Sequence, residues 1–231
     1  MEQPAILYTY MRNPRWGTSF SMSVTKEVLY FVENLKPRNH VILFYFDPEN
    51  KYNILLNYLS AGLANGKGAA YICSEESPEE IRSRMETHGI NVREAEEDDR
   101  LIIRNYDEWY IQDGEVESVR ILAGWKEMFE KLRRRGLGLR VTGETACFFK
   151  QNKVEDLLRY EYALHRVLDI PMDAICAYDL NAIVDSGHTE VIMPLVRAHG
   201  WAIFTDKDKS MVYEPENVED YDIEKLLRIK L

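Results

Sequence analysis

Short apolar runs alternate along this chain with segments of helical periodicity, and that order restricts the fold more than any other feature of the sequence. Residues 40–46, 69–73, 101–106, 137–142, 174–178 and 201–204 read as strands, rich in aliphatic, aromatic and β-branched side chains. Between them, residues 48–65, 77–88, 116–135, 154–168 and 190–198 read as helices. A strand–helix–strand rhythm of this kind predicts an α/β domain built on a mostly parallel sheet, with helices on both faces. TDKDK (205–209) predicts a hairpin turn into a last antiparallel strand at 210–213. Several ends are signposted. Asp47 and Pro48 suit the N-cap and first position of a helix, SPEE (77–80) is a capping box, and Gly66 and Gly136 close helices.

The expected organisation is an arm and amphipathic helix over 1–39 (helix 24–35), one domain over 40–213, and an acidic tail over 214–231 with a short helix at 223–229. The formal charge of −10 repels phosphate backbones, and the basic run KLRRRG (131–136) suits a helix end. Direct nucleic-acid binding is therefore not expected. No apolar run approaches the ~20 residues of a membrane span, and the first residues lack a secretory pattern. The three cysteines, Cys73, Cys147 and Cys176, have no metal-ligand spacing. The expectation is a cytoplasmic protein with reduced, buried, inert thiols and no cofactor or metal.

In open parallel sheets, ligands bind at the carboxyl ends of the strands. This directs attention to LFYFDPENKYNILLNYL (43–59), a strand, a polar turn with a lysine, and a helix. The layout is that of a phosphate-binding loop, but Tyr45 and Asn50 stand where glycines are needed, and Tyr52 stands where a magnesium-binding hydroxyl is needed. Without glycines the backbone cannot curl its N–H groups around a phosphate. Asp47 brings negative charge to the helix N-terminus, and Lys51 is expected to pair with it at i,i+4.

The segment GLANGKGAAYICSEESPEEIRSRMETHGI (62–90) looks like the corresponding part of KaiC-type ATPases of the RecA-like class. In that frame Lys51 matches the phosphate-binding lysine, and Glu75 and Glu76 match the water-activating glutamates. The glycine cradle, the hydroxyl and the aspartate of the magnesium site are missing. The chain more closely resembles the MEDS family, the methanogen/methylotroph DcmR sensory domain, a degenerate KaiC/RecA-like branch. The resemblance rests on His40 with HVILFY, GLANGKGAAYI, DEWYIQDGE, LRVTGE, RYEYALHRVLDI and ICAYD, in that order. It implies a three-layer RecA/KaiC-like fold, no NTP hydrolysis, and the sensing of a small molecule, proposed for the family to be a hydrocarbon derivative. Some members carry a helix-turn-helix module, and none is recognisable here.

The candidate ligand-binding residues are Asp47, Lys51, Glu75, Glu76, Trp109, Tyr110, Arg140, Thr142, Glu144, Glu161, Tyr178 and Asp179. Trp109 and Tyr110 either wall an apolar pocket or pack in the core. Arg140 lies inside a strand covered on both faces and needs an anionic partner. Glu161, on the apolar stripe of its helix, and Glu144 are the candidates, as a structural ion pair or as part of a ligand site. The expected function is that of a non-catalytic sensory domain that binds a small molecule and signals through a protein partner or homo-oligomer. The alternative is a divergent KaiC-like ATPase, with Lys51 on phosphates and Glu75 or Glu76 as base.

Overall fold

Residues 24–207 and 209–215 are described by the structure, a computed structural model. The aromatic arm and the expected tail helix lie outside these residues. Helix α1 (Lys26–Glu33) starts where the Thr25 side chain accepts the Val28 N–H. It precedes strand β1 (His40–Tyr45) and helix α2 (Pro48–Ala64). Strand β2 (Gly68–Cys73), helix α3 (Pro78–Thr87), helix α4 (Val92–Glu97) and strand β3 (Leu101–Asn105) follow. A short helix α5 (Tyr106–Trp109) then leads into a small hairpin, β4 (Ile111–Gln112) and β5 (Glu115–Val116). The second half comprises α6 (Ser118–Arg133), β6 (Leu139–Glu144), α7 (Ala146–Lys150), α8 (Val154–Arg166), β7 (Asp173–Asp179), α9 (Leu180–Asp185), α10 (Ile192–Arg197), β8 (Trp201–Asp206) and β9 (Lys209–Tyr213).

The main sheet has seven strands in the order β3-β2-β6-β7-β1-β8-β9. All neighbours pair in parallel except β8 and β9, which form the expected antiparallel hairpin. β1, β2 and β6 are buried along their whole length, as strands between two helical layers must be. Their side chains divide by the two-residue strand period. Val41, Leu43, Tyr45 and Tyr71 pack into the core under α1 to α4, and Ile42, Phe44, Ile72 and Cys176 into the core under α6 to α10.

The expected strand at 137–142 is instead Leu139–Glu144. Residues 137 and 138 belong to the exit from α6, where Gly136 takes φ +75° and the Leu137 N–H returns to the Leu132 carbonyl. The strand end carries Thr142 and Glu144, so its apolar pattern fades where polar groups are buried. Helices α4, α5, α7 and α9 are too short to show a helical period.

Arg140 is not answered by Glu144 or Glu161. Its guanidinium donates to the carbonyls of Tyr58 (2.6 Å) and Glu33 (2.9 Å), and its Nε lies 3.6 Å from Asp173 Oδ2. Lys67 Nζ reaches the same Asp173 oxygen at 2.6 Å. Glu161 rides on α8, across the sheet, and Glu144 lies at the far end of β6 from Arg140. The guanidinium thereby ties the end of α1 to α2 and β7, a favourable place for positive charge.

This strap explains Gly62. A Cβ there would sit 2.5 Å from Arg140 Cδ, midway along a side chain whose head is pinned. Alanine normally favours a helix by about 1 kcal/mol over glycine, but overpacking costs about 1–3 kcal/mol. We predict that Gly62→Ala lowers stability to chemical denaturation, whereas Gly62→Ala combined with Arg140→Ala recovers part of the helix-propensity gain relative to Arg140→Ala alone.

Candidate functional site

At the carboxyl ends of the strands, Lys51 enters the α1–α4 side of the sheet rather than turning back to Asp47. Its Nζ donates to Glu75 Oε2 at 2.6 Å and Glu144 Oε1 at 2.7 Å. Asp47 instead caps α2 by accepting the Glu49 N–H at 3.0 Å, so the expected Asp47–Lys51 pair does not form. Two buried carboxylates hold the lysine more strongly than one solvated carboxylate would. Lys51 and Glu144 are fully buried, and the Glu75 side chain is 16% exposed.

Glu144 is the hub. Its Oε1 also accepts from the Tyr71 hydroxyl at 2.6 Å, and its Oε2 accepts the N–H groups of Ser74 (2.8 Å) and Glu75 (2.9 Å). Tyr45 donates its hydroxyl to Glu75 Oε1. The Lys51 ammonium lies 4.1 Å from the Tyr52 ring centroid. Burial opposes the lysine charge, but Glu144 and Glu75 outweigh it and hold Lys51 above the ordinary lysine range. For Glu75 the balance is reversed. Burial and the Glu144 charge raise its carboxyl above the usual range despite Lys51.

The remaining expected residues do not join this cluster. Glu76 turns to Arg84, 2.7 Å from it through each of two nitrogens, and these hydrogen bonds hold its carboxyl below the usual range. Thr142 donates to the Ile175 carbonyl and clasps β6 to β7. Asp179 caps α9 through the Asn181 N–H and borders a hollow of about 380 Å³ with Phe149 and Ala182. Tyr110 is a core residue packed on Phe148 and Tyr160, and Gly143 has no room for a Cβ beneath its hydroxyl. Trp109 packs on Trp125 at 4.5 Å and lines an open groove of about 630 Å³ with Ile102, Gly124, Met128 and Leu132. Arg140 belongs to the strap described above.

Glu161 and Tyr178 form a second buried cluster, on the α6–α10 side. The Tyr178 hydroxyl donates to Glu161 Oε1 at 2.5 Å. The other oxygen, Oε2, lies 3.3 Å from His40 Nε2, 3.6 Å from His199 Nε2 and 3.6 Å from Cys176 Sγ. His40 Nε2 is also 3.3 Å from Cys176 Sγ. His199 Nδ1 bonds the Leu195 carbonyl at 2.7 Å, which makes it the protonated nitrogen. Burial, with help from a neighbouring imidazole, takes both His40 and His199 down to about 3. Both rings are therefore neutral near pH 7.

Tyr45 and Tyr71 are absent from the sequence-based candidates because buried strand tyrosines look like core. His40, Cys176 and His199 are absent because they are scattered over almost the whole domain without a spacing motif. His40 opening a buried strand is the one sequence signal that could have pointed to them.

The three-layer architecture with a central, mostly parallel sheet is that of the KaiC-like proteins. The chain is similar to the crystal structure of a KaiC-like protein from the hyperthermophilic archaeon Pyrococcus horikoshii OT3, with a TM-score of 0.55 and 14% identity over 78% of this chain and 79% of that one. That likeness establishes the fold. A family model, MEDS (MEthanogen/methylotroph, DcmR Sensory domain), matches residues 39–199, and the chain belongs to this family of sensory domains. Comparison with curated proteins finds no match. Among the described residues no helix is long and apolar enough to cross a membrane.

The unequal burdens on the two Lys51 partners give a test. Glu144→Gln loses charge at a site with four donors and is expected to cost about 2 kcal/mol or more. Glu75→Gln relieves repulsion and is expected to stay within about 1 kcal/mol of the parent. Because the folded Glu75 carboxyl titrates above its ordinary value of 4.5, its contribution is complete below that pH and is lost as pH rises through the folded value. Melting curves should therefore show Glu75→Gln gaining on the parent as pH is raised from 4.5 towards 7.

Proposed function

We propose that this chain is a non-catalytic sensory domain with a degenerate phosphate-binding loop. It binds a small molecule and passes the signal to a protein partner or through a change in its own assembly. One observation carries the loss of nucleotide chemistry: Lys51, the cation that would meet a phosphate, is already held by Glu144 and Glu75. The amides that would join it are also engaged. Pro48 has no N–H, the Glu49 N–H bonds the Asp47 carboxylate, and the Asn50 and Lys51 N–H groups bond the Asp47 carbonyl. A nucleoside triphosphate would have to displace a carboxylate from Lys51 and approach Glu144 and Asp47, adding like charge in a poorly solvated place.

Membership of the MEDS family supports a sensory role. The ligand class we propose is a hydrocarbon derivative. The groove beside Trp109 has the size of a small-molecule site, and Ile102, Trp109, Met128 and Leu132 offer apolar contacts to such a molecule, while Asp99, Arg100, Glu127, Glu130, Lys131 and Arg134 line it with charge. The Trp109 indole ring contributes its apolar surface to this wall, while its N–H is buried away from solvent.

Calorimetric titration with MgATP should show no binding at micromolar concentrations, and no phosphate should be released. Micromolar affinity with turnover would overturn this reading. In a thermal-shift series of short alcohols, ketones and haloalkanes, members that bind should raise the melting temperature. Trp109→Ala, which removes an apolar wall of the groove, should reduce the shift for the members that bind.

A further inference from the structure

We propose that His40, Glu161, Cys176 and His199 form a structural site for one divalent cation of the zinc type. The proposal is independent of the sensory reading, because the four residues lie on the α6–α10 side of the sheet, across from Lys51. Their ligand-type atoms, His40 Nε2, Glu161 Oε2, Cys176 Sγ and His199 Nε2, all lie within 4.8 Å of one another. Atoms bound to a tetrahedral zinc at about 2.0–2.3 Å stand roughly 3.3–3.8 Å apart. Four of the six separations here are 3.3, 3.3, 3.6 and 3.6 Å. Only small side-chain movements are needed to close the set around an ion.

Outer contacts orient two of the four groups, His199 and Glu161, for ligation. The Leu195 carbonyl takes the Nδ1 proton of His199 and leaves its Nε2 lone pair facing the cluster, where it has no hydrogen-bond partner among the described residues. A histidine held in this way by a backbone carbonyl is the usual outer arrangement of a metal-binding imidazole. Tyr178 occupies Glu161 Oε1 and leaves Oε2 for the ion. His40 Nε2 already lies between the thiol and the carboxylate.

Charge also balances. Binding displaces the Cys176 proton to solvent, so a thiolate and a carboxylate neutralise the dication and two neutral imidazoles complete the set. A net neutral complex is the form that a fully buried site tolerates. All four positions come from the protein, so the site is closed and its role is structural. It would fasten β1, α8, β7 and the turn between α10 and β8, elements far apart in sequence. His40 is 8% exposed at the start of β1 and marks the side from which an ion enters.

The test uses the full chain, treated with chelator and titrated with Co²⁺ and then Zn²⁺. We expect one Co²⁺ per chain with a thiolate-to-cobalt charge-transfer band and the strong visible absorption of a tetrahedral site, both bleached by Zn²⁺. Zn²⁺ should raise the melting temperature of the chelator-treated protein. Cys176→Ser should abolish the charge-transfer band, while Cys73→Ser, at a thiol outside the cluster, should keep it. Tyr178→Phe should keep the band and weaken Zn²⁺ binding by about 10- to 100-fold. The proposal is overturned if the parent protein shows no thiolate band at stoichiometric Co²⁺. It is also overturned if Cys176→Ser retains the band or binds Zn²⁺ as tightly as the parent. The parent spectrum decides by itself if a variant does not fold.

Discussion

The Lys51 ammonium, held between Glu144 and Glu75 inside the protein, is the contact on which the strand ends depend. It joins the first turn of α2 to the ends of β2 and β6, and the same Glu144 carboxylate gathers a tyrosine hydroxyl and two backbone amides. A lone buried carboxylate is prohibitively costly, and so is a lone buried ammonium. Together, with their remaining valences filled by hydrogen bonds, they become a tolerable element of the core. Lys51 is thus an internal joint between α2, β2 and β6 rather than an exposed cation.

Strand alternation explains how one sheet keeps two polar clusters apart. Tyr45, Leu43 and Val41 face one way and Phe44 and Ile42 the other, so β1 sends its tyrosine towards Lys51 and its alternate residues to the opposite face. β6 sends Arg140, Thr142 and Glu144 to one side. β7 contributes Cys176 and Tyr178 to the other. Each cluster sits where strands are covered by helices. Arg140 forms a third joint, using helix carbonyls as well as Asp173, so its charge is spread over several acceptors.

Much of the fold was legible. The strands 40–46, 69–73, 101–106 and 174–178, the caps at Asp47 and Ser77, and the terminal hairpin follow from local chemistry that the rest of the chain reinforces. The end of β6 was not, because Thr142 and Glu144 interrupt an apolar pattern that their buried partners make affordable. The site was legible in part. Lys51, Glu75 and Glu144 were identified as residues at strand ends. Their mutual pairing was not, since a near neighbour such as Asp47 is the natural partner for Lys51 until the depth of burial is known.

Periodicity and capping residues determined by themselves that this is a helix-covered, mostly parallel sheet whose first strand-to-helix turn lacks glycine. Those properties are local, set by side-chain shape and backbone freedom within a few residues. Only the tertiary structure decided which charges meet. Residues 40, 161, 176 and 199 converge, and Glu161 leaves Arg140 for two histidines, because strand order and helix placement bring distant segments together. The energy of a buried charge depends on those neighbours, which no local stretch of sequence specifies.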